Sequence, residues 1–280
     1  MASSKPTIVI IHGNWHSPEH FSPLVNDLST HGYKTVSVTL PSIHYASLKQ
    51  PPPTGLTEDI DAIRNTALSE LTSHPTVDVV LLTHSYSSVP GSAAIQSLDI
   101  PSRRADRHSN GIAALLIIAG LFIPAGITLL GPSGGQVPPV MKLFTAKPAT
   151  AANREAAEIT FSGPAAEPGP VALFYHDLPV AEAEHYASLL KPAVWAPHLD
   201  TVPFTGYVVV PVFYLMCEDD RALPAAFQRE LIAAANKEIA KVARPQAQIN
   251  VSSINSGHSP YLSRVAETAA WVRRCVGEEV

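Results

Sequence analysis

The chain has 280 residues, 46% of them hydrophobic and only 15% charged, with a formal net charge of −5. That length suits one large α/β domain or two small ones with a substantial core, and the composition is that of a well-packed globular protein. The negative balance leaves no basic footprint for nucleic acid, and two cysteines, Cys217 and Cys275, are too few for a disulfide framework.

In chain order, the polar start 1–5 has neither the basic segment nor the apolar stretch of a secretory leader and runs straight into Thr7-Ile8-Val9-Ile10-Ile11. This β-branched run is too short for a helix and reads as a buried strand. It empties into His12-Gly13-Asn14-Trp15-His16, a loop able to aim backbone N–H groups at a developing oxyanion. Residues 18–31 have helical spacing through Phe21, Leu24, Val25 and Leu28, with Gly32 as a stop. The next strand is predicted at 34–40, a loop marked by Pro51-Pro52-Pro53 at 42–54, and a helix at 56–73.

The apolar run Val79-Val80-Leu81-Leu82 ends on Thr83-His84-Ser85-Tyr86-Ser87. A chain lifts a hydroxyl out of a strand end in this way, on a tight strand-to-helix turn. The usual form is G-x-S-x-G; here Thr83 and Ser87 take the glycine positions, where small side chains fit at some cost. A helix at 89–98, a polar loop through 103–108 and a strand at 112–118 follow. The apolar stretch 112–127 is broken by Gly120 and Pro124 and is too short to span a membrane, so a cytoplasmic protein is expected.

From 122 to 204 the strand rhythm fails in a Pro-, Gly- and Ala-rich region with short helical pieces, such as 181–190. It reads as a mainly helical cap (122–204) inserted into a core of 1–121 and 205–280, with Met141, Leu143, Phe144, Phe161, Phe174, Tyr175 and Trp195 available to line a pocket. Strand 208–217 then ends in Glu218-Asp219-Asp220-Arg221, a helix starts near Pro224, and 249–254 alternates like a half-exposed strand before Asn255-Ser256-Gly257-His258. The alternation of strands and helices predicts a mostly parallel central sheet flanked by helices. A serine, an acid and a histidine each stand just past a separate strand, in the order Ser, Asp, His.

That order, with the elbow-like turn, resembles the α/β-hydrolase fold, and the chain is most similar to small esterases of the plant methylesterase and hydroxynitrile lyase group. Residues 8–41 with His12-Gly13 and His16, the segment 217–228, and Ser256-Gly257-His258 carry the likeness, while Phe174-Tyr175-His176-Asp177 and Leu189-Leu190-Lys191-Pro192 resemble cap segments of related hydrolases. The resemblance implies Ser85 as nucleophile, His258 as base, and backbone N–H groups of Asn14 and Tyr86 as the oxyanion hole. Glu218, Asp219 and Asp220 compete as the acid; the resemblance favours Asp220, four residues before Pro224, with Asp219 the alternative. His12 reads as structural, and Trp15 and His16 as substrate-binding or packing residues.

The expected reaction is cleavage of a carboxylic ester or lactone of a hydrophobic small molecule through an acyl-serine. No cofactor or metal is called for, and no Gly-rich phosphate loop is present. Partners beyond a small-molecule substrate are not indicated, although the lightly charged surface permits a homodimer. Two alternatives stay open, a lyase or cyclase using the same triad and a non-catalytic ligand receptor on the fold. The related hydroxynitrile lyases carry a threonine after the first-loop histidine and a lysine after the catalytic one, where this chain has Gly13 and Ser259.

Overall fold

The computed structural model describes residues 5–148, 158–242 and 248–280; the start 1–4 and part of the expected cap, 149–157, lie outside them. The N-terminal half runs β1 (Thr7–Ile11), a 3-10 turn Pro18–Phe21 leading into α1 (Ser22–Thr30), β2 (Thr35–Val38), α2 (Pro41–His44), α3 (Thr57–Ser73) and β3 (Val79–His84). A 3-10 turn Ser85–Ser87 opens into α4 (Ser88–Ala94), followed by α5 (Ile100–Ala105) and β4 (Ile112–Ile118). Then come β5 (Met141–Ala146), β6 (Ile159–Pro164), α6 (Pro170–Phe174), α7 (Val180–Ser188) and β7 (Ala193–Val194). The chain closes with β8 (Val212–Cys217), α8 (Ala225–Lys241), β9 (Asn250–Ile254), α9 (Pro260–Ser263) and α10 (Val265–Cys275).

Six strands form one parallel sheet in the order β2-β1-β3-β4-β8-β9. β1 and β3 are buried along their whole length, as their unbroken apolar sequences require of central strands covered on both faces. At the edge, β9 exposes Asn250, Val251, Ser252 and Ser253 and buries only Ile254, so it is more open than its alternation suggests. Because all six strands run the same way, the loops after β1, β3, β8 and β9 emerge at one end of the sheet. The chain leaves β1 toward β2 on one side and returns to β3 on the other, which opens a crevice at the strand ends.

Several local expectations are corrected. The polar stretch expected as a loop at 103–108 begins inside α5, which Asp99 caps by accepting from Ser102 N at 3.0 Å. The expected loop at 42–54 starts within α2, and the helix expected to reach residue 98 stops at Ala94. The strand expected from 208 begins only at Val212, after a 3-10 turn Gly206–Val208 and Pro211, which has no N–H for a ladder. The region 122–204 contains α6 and α7 but also an antiparallel sheet β5-β6-β7. Its strands escaped the sequence because β5 is largely exposed and β7 has two residues, leaving little apolar alternation to read. Among the described residues no helix is long and apolar enough to cross a membrane.

The turn after β3 depends on a close approach of α4 to the sheet. A Cβ at Gly91 would stand 2.6 Å from the Thr83 Cγ2 methyl, a branched, fully buried group with no room to retreat. Gly91→Val is therefore expected to lower stability by about 1–3 kcal/mol through overpacking, although valine has the better helix propensity. Urea unfolding of the two proteins checks this; equal midpoints would mean that α4 can move off β3 at no cost.

Candidate active site

At the end of β3 the backbone of Ser85 takes φ 53°, the left-handed region that a non-glycine residue rarely enters. The residues replacing the flanking glycines are accommodated. Thr83 donates from Oγ1 to Leu116 O (3.1 Å), while Ser87 Oγ meets Ile11 O (2.9 Å) and accepts from His84 N (3.0 Å). Both side chains are buried with their hydroxyls paired, so the turn is closed by hydrogen bonds where glycine would have left space.

After β8, the carboxylate of Asp220 is enclosed by donors. Oδ1 accepts from Ala222 N and Leu223 N, each at 2.8 Å; Oδ2 accepts from Gln228 Nε2 (3.2 Å) and from His258 Nδ1 (2.7 Å). Both partners of this last bond are buried. A carboxylate oxygen accepts, so Nδ1 carries the proton of this bond and Nε2 is left outside it. Asp219 points elsewhere, pairing with His176 Nε2 at 3.0 Å from a largely exposed position. The competition among the acids is thus divided: Asp220 reaches the imidazole, Asp219 ties the acid loop to the segment after α6, and Glu218 pairs with Arg229.

The loop after β1 is held by its histidines. His12 Nε2 accepts from Leu40 N (3.2 Å), which leaves Nδ1–H to donate to Gly13 O (3.0 Å). In a trans peptide the N–H of Asn14 then points the opposite way from that carbonyl. Tyr86, second in its 3-10 turn, has an N–H that precedes the first intrahelical bond. The side chain of Tyr86 is anchored by Asp59, which accepts from Tyr86 Oη (2.7 Å), Ser42 Oγ (2.6 Å) and Ser42 N (2.9 Å). Burial pushes the Asp59 carboxyl up to about 6 against these donors. Nothing in the sequence marked Asp59, because an acid in the first turn of α3 looks like an ordinary dipole partner.

Asn14, Trp15, His16, Ser85, Tyr86, Arg221 and His258 share the wall of one cavity of about 550 Å³. The structure therefore brings together every residue expected at the site except Asp220, which stands behind His258. His16 shows only its ring to the cavity: Nδ1 donates to Asn14 O (2.7 Å), and Nε2 accepts from Tyr175 Oη (3.0 Å). Of the seven apolar residues expected to line the pocket, Met141 and Phe174 do so. Leu143 and Phe144 are exposed on β5, and Phe161, Tyr175 and Trp195 are buried in packing. The 121–141 connection supplies most of the apolar wall instead, through Leu121, Leu129, Leu130, Pro138 and Val140. His84 and His198 were also missed, since a single buried histidine carries no sequence signal of its own.

The model of the alpha/beta hydrolase family matches residues 8–271. The alpha/beta hydrolase nvfD of Aspergillus novofumigatus is 27% identical over 99% of this chain and 98% of its own. Among solved structures, polyneuridine aldehyde esterase superposes with a TM-score of 0.71 at 18% identity, covering 98% of both chains. The methylesterase MES16 of Arabidopsis gives 0.64 at 17% identity, over 97% of this chain and 98% of its own. These structures share the fold.

The histidines around the site are held uncharged. Burial is the main cause in each case: it lowers His12 to about 3 and His20 and His198 to about 4, holds His16 and His84 well below the ordinary range, and lowers His44 less. Unfolding lets all six protonate near 6.5, so their stabilisation is complete above that pH. It is lost as pH falls below 6.5 toward the folded values. Asp59 opposes this between about 6 and its ordinary value, as one group against six. The melting temperature is therefore expected to fall as pH is lowered below about 6. Thermal melts followed by circular dichroism from pH 8 to 4.5 check it; an unchanged melting temperature down to pH 5 would contradict the burial of neutral imidazoles.

Proposed function

This chain belongs to the alpha/beta hydrolase family, and from that footing we propose that it is a serine hydrolase cleaving a carboxylic ester or lactone of a hydrophobic small molecule. The buried His258 Nδ1–Asp220 Oδ2 bond of 2.7 Å, with Ser85 raised at φ 53° on the wall of the same cavity, carries this reading. His258 takes the Ser85 proton on its bare Nε2 as the serine oxygen attacks the carbonyl carbon. The N–H groups of Asn14 and Tyr86 hold the oxyanion, a contribution of about 3–4 kcal/mol for each such donor. The imidazolium, stabilised by Asp220, protonates the departing alkoxide. Water, its proton taken by His258, then attacks the acyl-serine, and His258 passes that proton to Ser85 Oγ as the bond to the acyl group breaks and the acid leaves. The apolar wall supports a hydrophobic substrate.

Hydrolysis is favoured over the hydroxynitrile lyase chemistry of the related group by two positions. A Cβ at Gly13, where those lyases carry threonine, would stand 2.6 Å from His84 Nδ1. Where they carry lysine, Ser259 is buried with its hydroxyl 3.2 Å from Tyr261 Oη.

Two measurements test the proposal. Intact mass after exposure to a fluorophosphonate should show a single adduct that is absent from Ser85→Ala; no adduct on folded protein would turn the reading toward a lyase or a ligand receptor. With an ester substrate found by screening, Asp220→Asn should lower kcat about 10⁴-fold, because the amide no longer fixes the His258 tautomer. A loss under tenfold would show that Asp220 is not the working acid.

A further inference from the structure

Two polar atoms of cavity-wall residues have no hydrogen-bond partner among the described residues, Asn14 Oδ1 and His198 Nδ1. They belong to one unit, since Asn14 Nδ2 lies 3.3 Å from His198 Nε2. The His198 ring is fixed between aromatic faces, with Trp195 at 4.3 Å and 15° and Tyr86 at 5.4 Å and 27°. Burial keeps the ring neutral, so it carries one N–H. With the Asn14 amide N–H facing Nε2, the ring proton sits on Nδ1. Nε2 is then the acceptor of the Asn14 amide N–H, and Asn14 Oδ1 is left as an acceptor with no donor.

A buried, unanswered acceptor is an exception in a folded protein. The apolar neighbours on the wall, among them Leu129, Leu130, Val140 and Phe227, cannot supply a donor. Asn14 is also the residue whose backbone N–H is proposed to hold the oxyanion, and covalent geometry keeps its side chain within a few ångströms of that N–H. Resting on the hydrolase reading above, we propose that the substrate carries a hydroxyl two or three bonds from its scissile carbonyl, bound by the Asn14 side chain that His198 holds in place. A hydroxyl suits the pair in either orientation of the Asn14 amide, because it both donates and accepts, whereas a ketone or an ether answers only one. The class is thus a hydrophobic α- or β-hydroxy ester or the corresponding hydroxylactone.

The experiment is calorimetric titration of Ser85→Ala, which binds esters without consuming them. The ligands are methyl mandelate against methyl phenylacetate, and methyl 3-hydroxyoctanoate against methyl octanoate, with both enantiomers of each hydroxy ester. At least one hydroxy ester should bind about tenfold or more tighter than its deoxy partner, and adding Asn14→Leu should bring that ratio below about twofold. Adding His198→Phe instead keeps the aromatic stack but frees the amide; it should lower the ratio as well, and it decides the matter if the Asn14→Leu protein does not fold. Equal binding within both pairs, a preference that survives both substitutions, or no binding of any hydroxy ester overturns the proposal. A preference that is lost with Asn14, in a protein whose Ser85 neither labels with fluorophosphonate nor turns over esters, would keep the hydroxyl site and remove the hydrolase reading.

Discussion

Three loops meet on the ring of His84, and the site depends on that ring staying neutral and fixed. Its Nε2–H donates to the carbonyl of His258 at 3.0 Å, and Tyr261 Oη lies 3.4 Å from Nδ1. Its flank packs so closely on the first-strand loop that position 13 has no space for a Cβ. His84 immediately precedes Ser85, so the turn after β3, the loop after β9 and the loop after β1 are registered against one another by a single side chain. Protonation of Nδ1 would remove the acceptor that Tyr261 approaches and place a charge 4.6 Å from the His258 ring, which is why burial of an uncharged imidazole matters here.

The same logic extends outward. His12, His16 and His20 each donate one ring N–H to a backbone carbonyl and accept on the other nitrogen, so each backbone partner fixes a tautomer. A neutral imidazole both donates and accepts, and can cross-link irregular backbone where neither a sheet ladder nor a helix satisfies it. Irregular backbone is what a catalytic edge is made of. The acid loop solves the same problem differently, by surrounding Asp220 with four donors and sending Asp219 out to His176.

The segment between β4 and β8 supplies much of the cavity wall. Within it His198 reaches the loop after β1, where its Nε2 lies 3.3 Å from Asn14 Nδ2. The segment after α6 also reaches the histidine loop, where Asp177 Oδ2 accepts from Gly257 N at 2.8 Å and from Ser263 Oγ at 2.6 Å. A segment bound this way to the loops after β8 and β9 gives the cavity walls that belong to no single strand.

The parallel sheet was legible in the sequence because buried central strands must be short, β-branched and uninterrupted, and 7–11, 79–82 and 112–118 are all three. Ser85 was legible because it follows such a run, and an acid among 218–220 and His258 because each stands just past a strand, where a loop at the end of a parallel strand has only one end of the sheet to reach. Asn14 and Tyr86 came with them as neighbours in sequence. The strands β5 to β7 were not legible, since an exposed strand and a two-residue one bury too little to impose a period of two. Nor were Asp59, His84 and His198: their partners lie 17 to 184 residues away, at Ser42, His258 and Asn14. The choice between Asp219 and Asp220 was of the same kind. Adjacent acids differ little as sequence, but tertiary packing turned one toward His258 and the other toward His176.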